Sequence, residues 1–246
     1  MNQIVYYVLS ALAVLLILTI HEYSHAYAAY RLGDNTARNL GRLSLNPIKH
    51  LDPVGAICML LFHFGWAKPV PINARNFKKP KRDFAITALA GPLSNLICAF
   101  ISALFVLLLK KYYLTAKFQS DFVEILVLNF YYFTLIFHQI NVGIAIFNLI
   151  PIPPLDGSRL LNVILPTRTY FRIMRYERNI YLGMILWLLF GDFVARGLLS
   201  VPFIASSSVL SFIAGLFSLS NILGGIFNIV SNAMLDFWQL IPFLNI

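Results

Sequence analysis

Apolar runs long enough to cross a membrane alternate with short polar and basic stretches along this chain. The first run, from about Ile4 to Tyr30, predicts a long helix. About Phe84 to Leu109 and about Phe122 to Ile150 predict two more membrane helices, because roughly 20 apolar residues cross a bilayer as a helix. Two later runs, about Ile180 to Leu199 and about Phe203 to Val230, predict further segments.

The stretch after the first helix has a different pattern. Val54 to Trp66 is apolar but has only about two-thirds of the length that a span needs, which predicts a re-entrant or interfacial hairpin. Arg42 to Asn46 alternates polar and apolar residues, as an edge strand does. We therefore expect an all-α polytopic membrane protein of five to six membrane segments, with a re-entrant hairpin or a small β element after the first helix. The amphipathic tail, Ser231 to Ile246, is expected on the membrane surface.

Composition supports the membrane interpretation. The chain is 59% hydrophobic and 12% charged, with a mean hydropathy of +0.75, which excludes an ordinary soluble domain. A net charge of +9 could indicate nucleic-acid binding. The basic residues lie in the loops between apolar runs, however, where topology and anionic lipid explain them more simply. We expect contact with the lipid bilayer and no nucleic-acid partner.

The distribution of Lys and Arg predicts the orientation. Arg31 to Asp83 carries ten of them, Pro151 to Asn179 five, and Lys110 to Asp121 three. The positive-inside rule places the first two stretches on the cytoplasmic side and the N-terminus outside. In the cell (inner) membrane, the end of the first helix would then lie toward the cytoplasm.

A polar cluster, His-Glu-Tyr-Ser-His, stands near the end of the first helix. Four helical residues turn the chain by about 400°, so His21 and His25 share one face and can bind one Zn²⁺ ion. Glu22 lies beside them, free to act as general base on a water molecule. Ionisable residues at membrane depth are costly and mark a functional site.

A catalytic zinc site needs a third protein ligand as well as an open position. Asp156 is the best candidate, because it follows a membrane helix that ends on the same side as His21 and His25. Three prolines between Asn148 and Asp156 prevent a regular helix, and irregular backbone at membrane depth needs the cover that a buried site provides. Asn148 could stabilise the oxyanion or anchor substrate backbone, and Gly157 would permit a close approach or a positive φ.

These motifs together resemble the site-2 protease family of intramembrane zinc metalloproteases, peptidase family M50. The resemblance covers most of the first 165 residues. Three further stretches look like the family's connecting loop, the segment after it and its central helix motif: Leu-Asn-Pro-x-x-His-x-Asp-Pro-x-Gly (Leu45–Gly55), Phe-Gly-Trp-Ala-Lys-Pro-Val-Pro (Phe64–Pro71) and Ala-Gly-Pro-Leu-Ser-Asn (Ala90–Asn95).

The resemblance implies that His21, His25 and Asp156 hold one zinc ion, that Glu22 is the base, and that the reaction is hydrolysis of a membrane protein. The implied partner is a single-pass or membrane-tethered substrate, commonly cut after another protease has trimmed it. Residues 1–165 would form the catalytic membrane core, and residues 166–246 the C-terminal segments and tail of the same integral membrane domain. No PDZ or CBS module is expected.

Two further features have a functional and a structural interpretation each. Asn95 could hydrogen-bond to the catalytic region or to substrate, or could hold two membrane helices together. Pro69 and Pro71 would place both missing N–H groups on one edge of a strand, leaving the other edge for an unwound substrate. The alternative is an ordinary proline-rich loop.

Two competing functions are a zinc transporter or channel and a catalytically inactive scaffold. A conduit needs polar ligands at several depths, whereas the strong candidates here cluster at one depth. The intact Glu22 argues against a scaffold.

Overall fold

The computed structural model describes residues 2–53, 55, 67–201, 203, 206–210 and 219–244. This part of the chain is mostly helical and contains no sheet, which confirms the all-α prediction. The hairpin predicted over Val54–Trp66 lies outside the described residues except for Gly55, as does part of the run Phe203–Val230. In chain order the helices are α1 (Gln3–Arg31), α2 (Thr36–Asn39), α3 (Pro80–Thr115), α4 (Asp121–Leu149), α5 (Gly157–Ile164), α6 (Thr167–Met174), α7 (Glu177–Leu199) and α8 (Leu219–Gln239).

Three described helices, α1, α3 and α4, are long and apolar enough to cross a membrane. The local sequence explains where two of these helices begin. The side chain of Asn2 accepts the N–H of Ile4 at the start of α1, as an N-cap residue does. Pro80 opens α3, where its missing N–H costs nothing. The prediction of five to six segments in all stays a prediction.

Small residues are frequent among the buried positions of α1 and α3. Ala13, Ala26 and Ala29 of α1 are buried, as are Ala88 and Ala99 of α3. Small side chains let membrane helices approach closely, which increases their van der Waals contact. This close packing brings the end of α1 against the first half of α3, where the chemistry-bearing residues lie.

His138, buried in the middle of α4, connects three helices. Its Nδ1 lies 2.9 Å from the carbonyl oxygen of Ala99 in α3, and its Nε2 lies 2.9 Å from the hydroxyl of Ser231 in α8. A carbonyl only accepts, so Nδ1 carries the proton and Nε2 accepts from Ser231. The imidazole therefore serves helix packing.

The structure describes the tail as far as Leu244 and shows it in contact with α3, while its predicted location on the membrane surface stays a prediction. Helix α8 continues through Ser231 to Gln239, and Trp238 donates its indole N–H to the carbonyl of Phe100 at 2.8 Å. Lys111 donates to the carbonyl of Phe243 and lies 4.6 Å from the centre of its ring. These contacts attach the described part of the tail to α3.

The strand predicted over Arg42–Asn46 is wrong, because these residues form a loop. Two side chains hydrogen-bond to backbone carbonyls in and around this loop, where a strand would pair with the backbone of a neighbouring strand. Arg42 donates to the carbonyl of Lys68 at 2.6 Å, and the His50 ring donates to the carbonyl of Ser44 at 2.7 Å. Among the described residues the β element is one isolated antiparallel bridge, between Leu51 and Ala67. That bridge brings together the two ends of the segment between them.

Asp34 joins the loop after α1 to the segment that precedes α3. The residue is fully buried. Its carboxylate accepts the N–H and the hydroxyl of Thr36, the backbone N–H of Asn73 at 2.7 Å and the side-chain amide of Asn76 at 2.7 Å. Burial by itself raises the pKa of Asp34, but these hydrogen bonds outweigh it and lower the pKa below the ordinary aspartate value.

We expect Asp34→Asn to lower the free energy of unfolding by about 1–3 kcal/mol at neutral pH, because an amide cannot accept all four donors. The lowered pKa means that the contribution of Asp34 is present above the pKa of the unfolded chain, near 3.9, and is lost as the pH falls through the folded value. Thermal unfolding in detergent from pH 7 to pH 3 should therefore show the two proteins converging. The exposed Asp236 gives the control Asp236→Asn, and a constant difference across this range would contradict the assignment.

Candidate metal centre

His21 and His25 lie one turn apart near the end of α1, and both are buried. Their Nε2 atoms are 3.1 Å from each other. Asp156 Oδ2 lies 3.1 Å from Nε2 of His21 and 3.2 Å from Nε2 of His25. The structure therefore brings the three residues that the sequence singled out as ligands to one point.

A backbone break after α4 carries Asp156 to this point. The helix ends at Leu149, and the proline-rich turn that follows reaches Asp156 immediately before α5. At Gly157 a Cβ would collide with the carbonyl oxygen of Leu149 and would lie 2.6 Å from that of Ile150. Gly157 therefore permits a close approach of two backbone segments, the first of the two roles predicted for it.

The second ring nitrogen of His25 fixes the orientation of that imidazole. Nδ1 lies 2.8 Å from the carbonyl oxygen of Thr87 in α3. Since the carbonyl only accepts, Nδ1 carries the proton and the lone pair of Nε2 faces His21 and Asp156. An outer hydrogen bond of this kind is typical of histidines that bind metals. Thr87 was not identified from the sequence.

Gly91 provides the space for both imidazoles. A Cβ at this position of α3 would collide with Nε2 of His25, and it would lie 2.6 Å from Cε1 of His25 and 2.7 Å from Cε1 of His21. A Cβ atom does not come this close to a non-bonded heavy atom in real structures, so the two rings fit against α3 in this position because residue 91 has no side chain. The sequence placed Gly91 in a motif but gave no sign of this contact.

The donor set fits zinc. Two neutral imidazoles and a carboxylate are a common catalytic ligand set that leaves a fourth position open. Ligand atoms about 2.0–2.1 Å from a tetrahedral zinc ion lie about 3.3 Å from one another, and the three atoms here are 3.1–3.2 Å apart. The Asp156 side chain is 24% exposed while those of the histidines are 6–7% exposed, so Asp156 is the most accessible of the three candidate ligands.

Glu22 is buried next to the ligands, and its Oε2 accepts the backbone N–H of Val70 at 2.9 Å. Val70 lies between Pro69 and Pro71, the two residues predicted to shape a strand edge. The described residues Lys68–Asn73 form no strand. The single backbone N–H of the Pro-Val-Pro triplet, that of Val70, donates to Glu22, the candidate base, and not to a neighbouring strand.

The two asparagines have different surroundings. Asn148 donates its side-chain amide to the carbonyl of Ile144 in its own helix at 3.1 Å. Asn95 is fully buried in α3, and its side-chain nitrogen has no hydrogen-bond partner among the described residues. The functional roles suggested for Asn148 and Asn95 stay predictions.

The sequence profile described as peptidase family M50 matches residues 9–191, about three-quarters of the chain. This chain belongs to peptidase family M50. It is similar to "Putative zinc metalloprotease YwhC" of Bacillus subtilis (strain 168), with 43% identity over 173 residues, which cover 68% of this chain and 75% of that protein. It is also similar to "Putative zinc metalloprotease Rip2" of Mycolicibacterium smegmatis (strain ATCC 700084 / mc(2)155), with 29% identity over 147 residues, which cover 58% and 52% of the two chains. No solved structure matches.

The M50 assignment confirms the resemblance found in the sequence and the expectation of a metalloprotease that uses zinc. The three long apolar helices, together with the family, indicate a protein associated with the lipid bilayer.

Proposed function

We propose that this M50 protein is an intramembrane protease, which hydrolyses a peptide bond in or near the membrane segment of a single-pass or membrane-tethered protein. The observation that carries the proposal is the cluster of His21, His25 and Asp156, with Glu22 beside it, on helices long and apolar enough to span a bilayer. A hydrolytic centre within membrane helices is reached more readily by a membrane-embedded substrate than by a soluble one. Regulated intramembrane proteolysis is the corresponding process.

In this proposal His21, His25 and Asp156 hold one zinc ion, with Nδ1 of His25 fixed by Thr87. Zinc, when bound, polarises the scissile carbonyl and lowers the pKa of water. Glu22 takes the proton of the attacking water and returns it to the leaving amine. Asn148 donates one N–H of its side-chain amide to the carbonyl of Ile144, and the second N–H of that amide is the donor available to the oxyanion.

The substrate must expose a carbonyl to this centre. Because an intact helix shields its own carbonyls, helix-breaking residues in the substrate span should favour cleavage. The excess of Lys and Arg on the loops next to the site supports a cytoplasmic-facing centre in the cell (inner) membrane. We assign residues 1–165 to the catalytic core and residues 166–246 to the C-terminal part of one integral domain.

Metal removal tests this function. The purified protein, reconstituted in liposomes, is given a fluorophore–quencher peptide of one membrane span with a Gly-Pro pair near its basic end. We expect a zinc chelator to abolish cleavage and about one equivalent of Zn²⁺ per chain to restore it, because the centre offers a single set of ligands.

The same liposomes distinguish the competing function when they are loaded with a zinc-sensitive dye. Cleavage without zinc flux supports the protease. Zinc flux without cleavage would support a transporter, and cleavage that persists after complete removal of zinc would contradict the proposed mechanism.

A further inference from the structure

The segment Lys68–Asn73 crosses the end of α1 and contacts Glu22 at one point. The backbone N–H of Val70 donates to Oε2 of Glu22 at 2.9 Å. Both residues are buried, Val70 with 8% and Glu22 with 9% of its surface exposed. Shielded from water, a hydrogen bond to a carboxylate is stronger than one on the surface.

The two prolines on either side make this donor specific. Proline has no N–H and fixes its own φ near −65°, so Pro69 and Pro71 stiffen the backbone and offer no competing donor. The residue before a proline is also restricted to extended conformations, which applies to Lys68 and to Val70 itself. The triplet is thus a rigid backbone stretch with a single amide hydrogen.

The side chain of Val70 attaches this stretch to α1. It packs in a small apolar cluster with Ala26 and Ala37, joined by the half-buried Leu43 and Ile72. Ala26 lies four residues after Glu22, one turn further along the same face of the helix. Val70 therefore contacts α1 twice, with its side chain near Ala26 and with its N–H at Glu22.

Both ends of the segment are held as well. At one end the N–H of Lys68 donates to the carbonyl of His50 at 2.8 Å, and the carbonyl of Lys68 accepts from Arg42 at 2.6 Å. At the other end the N–H of Asn73 donates to the carboxylate of Asp34 at 2.7 Å. A segment fixed at both ends and at its middle keeps the Val70 amide in one place.

We propose that Val70 is a positioning residue, whose backbone N–H holds Oε2 of Glu22 so that Oε1 is presented to the reacting water. This inference deepens the proposed function and rests on it. A free glutamate side chain samples several rotamers, and a misplacement of about 1 Å can cost roughly a hundredfold in rate. The Val70 amide is thereby committed to Glu22, so this amide is not a free strand edge for substrate.

An amide-to-ester exchange tests the hydrogen bond with little change of shape. The α-hydroxy analogue of valine, placed at position 70 by nonsense suppression, replaces the Val70 N–H by an oxygen and keeps the side chain. With the single-span Gly-Pro peptide as substrate, we expect kcat to fall by about tenfold to a hundredfold, as for the loss of a hydrogen bond to a charged group. KM and the bound zinc should stay unchanged.

Val70→Ala separates this role from packing, because it keeps the N–H but removes most of the side chain. We expect Val70→Ala to lose some thermal stability yet to retain a higher kcat than the ester. An ester that folds, binds zinc and cleaves at the wild-type kcat would overturn the inference. Equal losses of kcat in the ester and in Val70→Ala would also overturn it, since packing would then explain both.

A second measurement needs no cleavage. In the protein labelled with ¹⁵N-valine, the Val70 amide resonance is identified by its disappearance in Val70→Ala. We expect Glu22→Gln to move this resonance and to speed its hydrogen exchange, since a neutral acceptor bonds more weakly. An unmoved Val70 resonance would refute the inference, whereas a wild type that binds zinc but cleaves no peptide would count against the proposed function.

Discussion

Replacing Glu22 by glutamine is expected to abolish peptide cleavage and to leave zinc bound. Glutamine has nearly the same shape, and its carbonyl oxygen can still accept the Val70 N–H that Glu22 accepts at 2.9 Å. It cannot accept a proton from water, so general-base catalysis is lost. A positioned base contributes about 10²–10⁴-fold, and we expect kcat to fall by at least the lower of these factors.

The measurement is the cleavage rate of the single-span peptide together with the zinc content of each purified protein. Glu124→Gln is the matched control, because Glu124 lies in the first turn of α4, at the end away from Asp156, where it accepts from the hydroxyl of Tyr113. We expect Glu124→Gln to cleave normally. Cleavage by Glu22→Gln at the wild-type rate would refute the role of Glu22.

The same variant can identify the natural substrate. Tagged Glu22→Gln and wild type are expressed in the host and purified in mild detergent, and the membrane proteins that remain bound are compared. We expect a single-pass protein to be enriched on Glu22→Gln and to be shortened within its span when wild type is present. Equal partners on both forms, with no shortened species, would favour a scaffold.

The ligands of the candidate centre could be predicted because the signals for them are local. The spacing of His21 and His25 fixes a shared helical face whatever surrounds the helix. The prolines before Asp156 require a break in the backbone, and the apolar run before them places that break on the same side of the membrane as the histidines. The membrane helices were predictable for the same reason, since length and apolar character do not depend on neighbours.

The surroundings of the ligands could not be predicted, because they depend on which faces of distant helices meet. Thr87 and Gly91 act on His25 only through the packing of α3 against α1, and nothing in their local sequence indicates that register. The contact between Val70 and Glu22 likewise joins residues 48 positions apart. Five alternating residues, Arg42–Asn46, predicted a strand, but a pattern this short does not reveal that Arg42 and His50 would bind the backbone.

Because of the packing at Gly91, we expect Gly91→Ala to weaken zinc binding by at least about tenfold. This is the lower end of the range for residues that orient metal ligands. The added methyl group would collide with Nε2 of His25 and lie 2.7 Å from Cε1 of His21. Relief requires either that the rings turn away from Asp156 or that α3 separates from α1. The first movement pulls the donor atoms apart, and the second breaks the hydrogen bond to Thr87 that orients His25.

The matched control is Gly143→Ala in α4, where a Cβ meets no atom of the described residues within 4 Å. Alanine is the better helix former by about 1 kcal/mol at either position, so helix propensity alone would stabilise both variants equally. Zinc affinity is measured by competition with a chromogenic chelator, and cleavage is measured at several zinc concentrations. Excess zinc should restore part of the activity of Gly91→Ala if the rings can return to Asp156. Wild-type zinc affinity in Gly91→Ala would mean that α3 does not limit the position of the histidines. The packing of the two rings against Gly91 would then not be needed to hold the ligands in place.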